Sequence, residues 1–190
     1  MKKFLAVLLV ALCGAAPLFA GDAEEIKSLL IKDLELGANG DFTETLALRT
    51  PDFVEITDFG TFTIEHLRWM ILSLDGKHPE EFMLLSAAAG NRGVLTPEMR
   101  ARIREASRDP KALREYAEIV PGLLANIKAD CALQLKTFKI IDIKINGDSA
   151  TTAVEYDAKT PDGIKHCSGT ISLRRVDGKW MICKVVYACK

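Results

Sequence analysis

Four side chains in this sequence have the chemistry for acid–base work: Asp58, His66, Tyr156 and Tyr187. Such work in an apolar cavity needs a carboxylate or imidazole whose pKa is displaced by burial. Asp58 stands at the end of a strand beside Phe59 and Gly60, so its plainer reading is a turn carboxylate facing water. His66 falls in the first turn of a helix, where a surface or capping role is the ordinary one. Tyr156 and Tyr187 have apolar neighbours on alternating strands, which suits core rings with the hydroxyl at a rim. Asp58, His66 and Tyr156 are the candidate catalytic residues.

Other chemistries find less support. His166 and Cys167 are adjacent in a strand and so point to opposite faces, which disfavours a nucleophile pair. There is no HExxH, no closely spaced Cys or His ligand pair, no GxSxG elbow and no phosphate-cradling glycine loop. Neither a metal nor a cofactor is expected.

Cysteine placement carries a structural argument. Beyond Cys13 the chain has Cys131, Cys167, Cys183 and Cys189. A hairpin turning at Asp177 and Gly178 brings Cys167, at the start of one strand, beside Cys189 at the end of the next. The preceding turns put Cys131 at the same end, while Cys183 lies inward as a small buried thiol. One disulfide is expected among Cys131, Cys167 and Cys189, with Cys167–Cys189 the first choice.

Those pairings need an oxidising compartment, and the N-terminus supplies the route. Met1, Lys2 and Lys3 form a cationic head, Phe4 to Leu12 an apolar run, and Ala15 to Ala20 a small-residue stretch before polar Gly21 and Asp22. This order is that of a cleavable export signal over 1–20. Pro17 disfavours a retained membrane anchor, and Leu12 before Cys13 disfavours a lipid-attachment site. The expected location is the periplasm or the medium, with one domain over 21–190 and no membrane span once the signal is removed. A net charge of −1 with basic and acidic residues interleaved argues against nucleic acid as a partner. The Arg100, Arg102, Arg104 and Arg108 series is similarly interleaved with Glu98, Glu105 and Asp109, and reads as a solvated helix face.

The elements that would position these residues follow from periodicity and caps. Asp22 and Glu25 suggest a capping pair for a helix carrying Ile26, Leu29, Leu30 and Leu34, with Gly37 as its stop. A short helix after Asp41 ends before Pro51. Phe53, Val54, Ile56, Thr57 and Phe59 read as a strand broken at Gly60. Thr63 caps a third helix with Ile64, Leu67, Ile71 and Leu74 as its stripe. From Pro79 to Asp130 the pattern is helical in pieces, with starts at Thr96–Pro97 and Asp109–Pro110 and a break at Val120, Pro121 and Gly122. The remainder reads as a four-stranded antiparallel meander with turns at Asn146–Gly147, Pro161–Gly163 and Asp177–Gly178.

Gly40-Asp41-Phe42 after the first helix, Pro51-Asp52-Phe53-Val54 at the first strand and Gly178-Lys179-Trp180 before the last give the chain a resemblance to the nuclear transport factor 2-like, or SnoaL-like, superfamily, in particular to small exported bacterial members without an assigned function. The likeness covers Glu24 to about Leu74 and Phe138 to Ala188, with 79–130 as a helical insertion. It implies an α+β fold in which a cone-like, curved antiparallel sheet packs on N-terminal helices and often encloses a pocket. Tyr156, Tyr187, Trp69 and Phe59 are the expected pocket residues, and Phe82 to Leu85 could cover its mouth. The family includes isomerases, cyclases, dehydratases and plain binding modules, so fold does not choose among them. Two functions follow: an exported non-catalytic module taking a small apolar ligand or an envelope protein, or an isomerase-like or dehydratase-like enzyme. A homodimer is a further expected partnership.

Overall fold

The computed structural model describes residues 2–58, 60–160 and 162–190, with side chains described from Gly21 onward. The expected export signal occupies the first part of the first helix and lies outside the described side chains. Phe59, an expected pocket residue, also lies outside the described residues.

The first helix, α1, runs Lys2–Asn39, so Asp22 is inside it and caps nothing. Its carboxylate instead accepts from Arg175 Nη2 and from Trp180 Nε1, fastening α1 to the far end of the sheet. Gly37 is not the stop either. That position faces Cys131, whose Sγ would lie 2.7 Å from an added Cβ, and the helix ends at Gly40, where φ is +92°. The amides of Gly40 and Asp41 both return to the Leu36 carbonyl, a left-handed closure suited to glycine. The short helix α2, Phe42–Ala47, follows Asp41, which makes no side-chain cap bond.

Strand β1, Arg49–Thr57, begins earlier than its apolar run suggests, and Gly60 opens a second strand, β2, Gly60–Thr63. These pair as an antiparallel hairpin. Thr63 caps α3, Ile64–Ser73, as expected, but the most buried positions there are His66, Trp69 and Ser73. The stripe is displaced because α3 is covered on two sides, by the sheet and by α4, Pro79–Gly90. Thr96 Oγ1 and the Asp109 carboxylate cap α5, Pro97–Ala106, and α6, Pro110–Thr137. Contrary to the expected break, α6 passes through Pro121 without ending. Its packing against α1 and the sheet outweighs the missing amide.

The C-terminal meander is present as β3 (Lys139–Asn146), β4 (Ser149–Thr160), β5 (Gly163–Val176) and β6 (Lys179–Cys189). The first turn centres on Gly147 and Asp148, one residue later than expected, because Asn146 pairs with Ser149. Strand order is β2-β1-β6-β5-β4-β3. The sheet as a whole is mixed: β1 joins β6 in parallel, Val54 opposite Lys184, while its other junctions are antiparallel. Ile26 and Leu30 of α1 pack on Phe53, Val154, Leu173 and Ile182, giving the α+β core over the curved, unclosed sheet. A second cluster of Trp69, Leu84 and Ala88 joins α3 to α4.

The β5–β6 register sets Cys167 opposite Cys189, and the two form a disulfide. Cys131, on α6, and Cys183 are free. Among the described residues no helix is long and apolar enough to cross a membrane.

Candidate functional site

Alternation along β1 turns Phe53, Glu55 and Thr57 to one face, toward the helices. Two cavities lie there. One of about 170 Å³ sits between α1, α6 and the sheet, with Leu30, Gln134, Phe138 and Tyr156 on its wall. The other, about 270 Å³ and mainly apolar, sits among β1, β2, α3 and α4, lined by Phe62, Leu67, Met70, Leu85 and Ala89. Phe53, Glu55 and Tyr187 line both.

Glu55 is the carboxylate at this shared wall. Its enclosure raises its pKa, because burial penalises the charged form more than the Tyr187 hydrogen bond and the Arg49 charge favour it. Burial first, and then the charge of neighbouring Glu55, hold Tyr187 well above the ordinary phenol range. Tyr156 is raised by burial first and by the charges of Glu55 and Asp130 next. The two tyrosine rings meet edge-on, with centroids 6.0 Å apart. A carboxyl biased toward its protonated form beside a hydroxyl that resists ionisation can hold a polar group of a ligand, or pass a proton to or from it.

At the other side of the first cavity, both terminal nitrogens of Arg49 are engaged, while its Nε is buried without a hydrogen-bond partner. Its Nη1 donates to Asp33 Oδ1 at 2.6 Å and to the Thr45 carbonyl at 2.7 Å, and its Nη2 donates to Asp33 Oδ2 at 2.8 Å. The guanidinium also lies 5.2 Å from the Phe53 ring centroid. This bidentate pair fixes α1 to β1 and contributes no net charge to the cavity.

The structure therefore unites Tyr156 and Tyr187, two of the expected pocket residues, and separates others from them. His66 is buried and lines the second cavity, but its Nδ1 accepts the Thr63 amide at 3.0 Å, closing the capping box. That bond leaves the proton on Nε2, which is buried without a partner in good hydrogen-bond geometry. Burial is the first cause of its lowered pKa. Trp69 does not line either cavity; it packs on α4 with Arg100 4.9 Å above its ring. Asp58 is exposed and borders a separate surface hollow near Cys189. Of the segment Phe82 to Leu85, Leu85 reaches the second cavity, whereas Phe82 stacks on Tyr116 and Leu84 on the α3–α4 cluster.

Sequence reasoning missed Glu55, Arg49 and Asp33. The available signal for Glu55 was its position two residues from Phe53 in a strand, between Val54 and Ile56. A charge there must face either water or a cavity.

No protein-family model matches the chain, and no curated protein matches it. Among solved structures, the chain is similar to an NTF-2 like protein of unknown function from Shewanella oneidensis, at 13% identity over 88% of this chain and 98% of that one, with a TM-score of 0.48. An ntf2-like protein with a cystatin-like fold from Novosphingobium aromaticivorans is similar at 14% identity over 93% and 86%, with a TM-score of 0.46. A ketosteroid isomerase-like protein from Erwinia carotovora atroseptica is similar at 12% identity over 87% and 94%, with a TM-score of 0.42. The resemblance is to nuclear transport factor 2-like proteins.

Proposed function

We propose that residues 21–190 form an exported module that binds a small, largely apolar molecule inside its cone and holds the ligand's polar group against Glu55 and Tyr187. The observation that supports this most directly is the pair of cavities sharing Phe53, Glu55 and Tyr187. Largely apolar walls with few placed polar groups are the ordinary make-up of a small-molecule site. The Cys167–Cys189 disulfide supports the oxidising compartment that export through residues 1–20 would reach.

The test is native mass spectrometry of protein taken from the exported fraction, with extraction of any bound compound, beside thermal shifts against small apolar molecules. A retained compound or a saturable rise in Tm is expected, and Ala89→Phe, which fills the second cavity, abolishes it. Absence of any retained or added ligand, with Ala89→Phe behaving like the parent, overturns the reading.

A second reading is an isomerase-like or dehydratase-like enzyme. The Glu55 carboxyl favours it, since burial raises its pKa above the ordinary carboxylate value, the direction such proton transfer requires. Of the candidate catalytic residues expected from sequence, Tyr156 shares the first cavity with that carboxyl and His66 the second. Once a ligand is known, Glu55→Gln that binds it but no longer exchanges its protons supports catalysis; unchanged exchange rules it out.

A further inference from the structure

We infer that the polar group the cone accepts is a cation: an amine on an apolar body, seated at the Glu55 carboxylate in the cavity that Phe53, Phe62 and Tyr187 line. This rests on the cone being a ligand site and says which ligands it takes.

Charge balance carries the argument. In the first cavity the Asp33 carboxylate is matched by Arg49 through two hydrogen bonds, and a third ties Arg49 to Thr45. Glu55 makes no ion pair with Arg49, whose charge acts on it from a distance and is opposed there by that of Asp33. No lysine or arginine is among the residues lining the second cavity, and the histidine there, His66, spends Nδ1 on the Thr63 amide and is kept neutral by burial. Glu55 is thus the one formal charge on the described walls of either cavity without a formal counter-charge in direct contact. The neighbouring Tyr187 hydroxyl favours its ionised form, while an ionised carboxylate has room for about four hydrogen bonds.

A half-buried carboxylate on a cavity wall is favoured by a proton or by a counter-ion. A ligand ammonium supplies both the charge and the missing donors. The rest of the wall suits the same group: aromatic faces attract cations, and the Met70 thioether is soft and polarisable. A ligand carboxylate would instead face Glu55 as a like charge.

The experiment uses three probes with one skeleton, 2-phenylethylamine, 2-phenylethanol and phenylacetate, titrated calorimetrically into the disulfide-bonded chain at neutral pH. The amine is expected to bind about tenfold more tightly than the alcohol, and the acid more weakly than either. In Glu55→Gln the ratio of amine to alcohol affinity falls to about one, because only the charge has gone. Equal binding of amine and alcohol by the parent protein, or an amine preference that survives in Glu55→Gln, overturns the inference while leaving the cone a ligand site. Binding of none of the three, with no compound retained through purification, overturns both. Should Glu55→Gln fail to fold, the ranking of the three probes on the parent protein decides.

Discussion

Tyr187 of the last strand and Glu55 of the first stand together on the wall shared by both cavities, across the parallel junction of β1 with β6. An acid whose folded pKa exceeds its ordinary value of 4.5 weakens the fold as it ionises. Below 4.5 it is protonated in both states, and above the folded pKa it is ionised in both. Between these the folded chain holds more protons, so stability falls as pH rises. His66, with a lowered pKa, gives the opposite slope below its ordinary 6.5, and the charges of Asp33 and Arg49 act on Glu55 as well. The difference in urea-unfolding stability between the parent and Glu55→Gln isolates the Glu55 contribution. That difference is expected to move against the parent as pH rises above 4.5.

Removing the disulfide tests the β5–β6 register. With Cys167 and Cys189 at a sequence separation of 22, Cys167→Ser with Cys189→Ser should cost about 3 kcal/mol, chiefly by freeing the unfolded chain. The same loss should appear in the parent on full reduction. Cys131, whose thiol burial pushes up to about 11, should resist alkylation until the protein unfolds. Non-reducing peptide maps that place Cys131 in a disulfide would refute the pairing.

How much of this was legible beforehand differs by element. The meander was readable because Asp177 and Gly178 fix a two-residue turn that brings Cys167 to within one residue of Cys189, and a register shift between Ser172 and Leu173 completes their opposition. Glu55 was hidden because the strand around it reads as apolar, and only the parallel junction with β6 brings Tyr187 to it. Pro121 and Gly37 look like breaks in sequence, yet α6 and α1 continue through them: Gly37 packs on Cys131 of α6, and Tyr116, just before Pro121, is anchored to Ser73 and Phe82. Asp22 has the residue type of a cap, but its partner is Arg175, from the opposite end of the chain. Local signals carried local structure, while long-range pairing decided the site.

The loop between α4 and α5 is docked on β2 backbone to backbone, the Thr61 amide meeting the Arg92 carbonyl at 3.2 Å. A Cβ on Gly93, where φ is +88°, would fall 1.8 Å from the Thr61 carbonyl oxygen. Gly93→Ala should therefore lose at least the roughly 1–3 kcal/mol of a strained left-handed residue. It should also open the chain to trypsin at Arg92. Gly122→Ala, in a helix with nothing within 4 Å, should gain about 0.5–1 kcal/mol instead. Urea midpoints of the two variants moving in the same direction would contradict this contrast.

Breaking the Asp33–Arg49 pair should be worse than replacing it. The two side chains are 17% and 13% exposed, so Asp33→Ala leaves a largely enclosed guanidinium and should cost about 3 kcal/mol. Asp33→Leu with Arg49→Met should cost less than Asp33→Ala alone, since no charge is stranded. A double-mutant cycle in urea measures the coupling directly, and additive losses would show that the pair acts as two independent contacts.

The parallel pairing of β1 with β6 also governs timing. Glu55 is among the early residues to be synthesised and Tyr187 among the last, so neither cavity has its shared wall until the final strand is available. Helices α3 to α6 can form locally while the chain is still emerging, but the sheet edge that β1 must join does not yet exist. Closing so long a loop is the slow kind of step in folding. The wall that the two cavities share is thus completed last, and a chain truncated before β6 would have most of the helices and lack that wall.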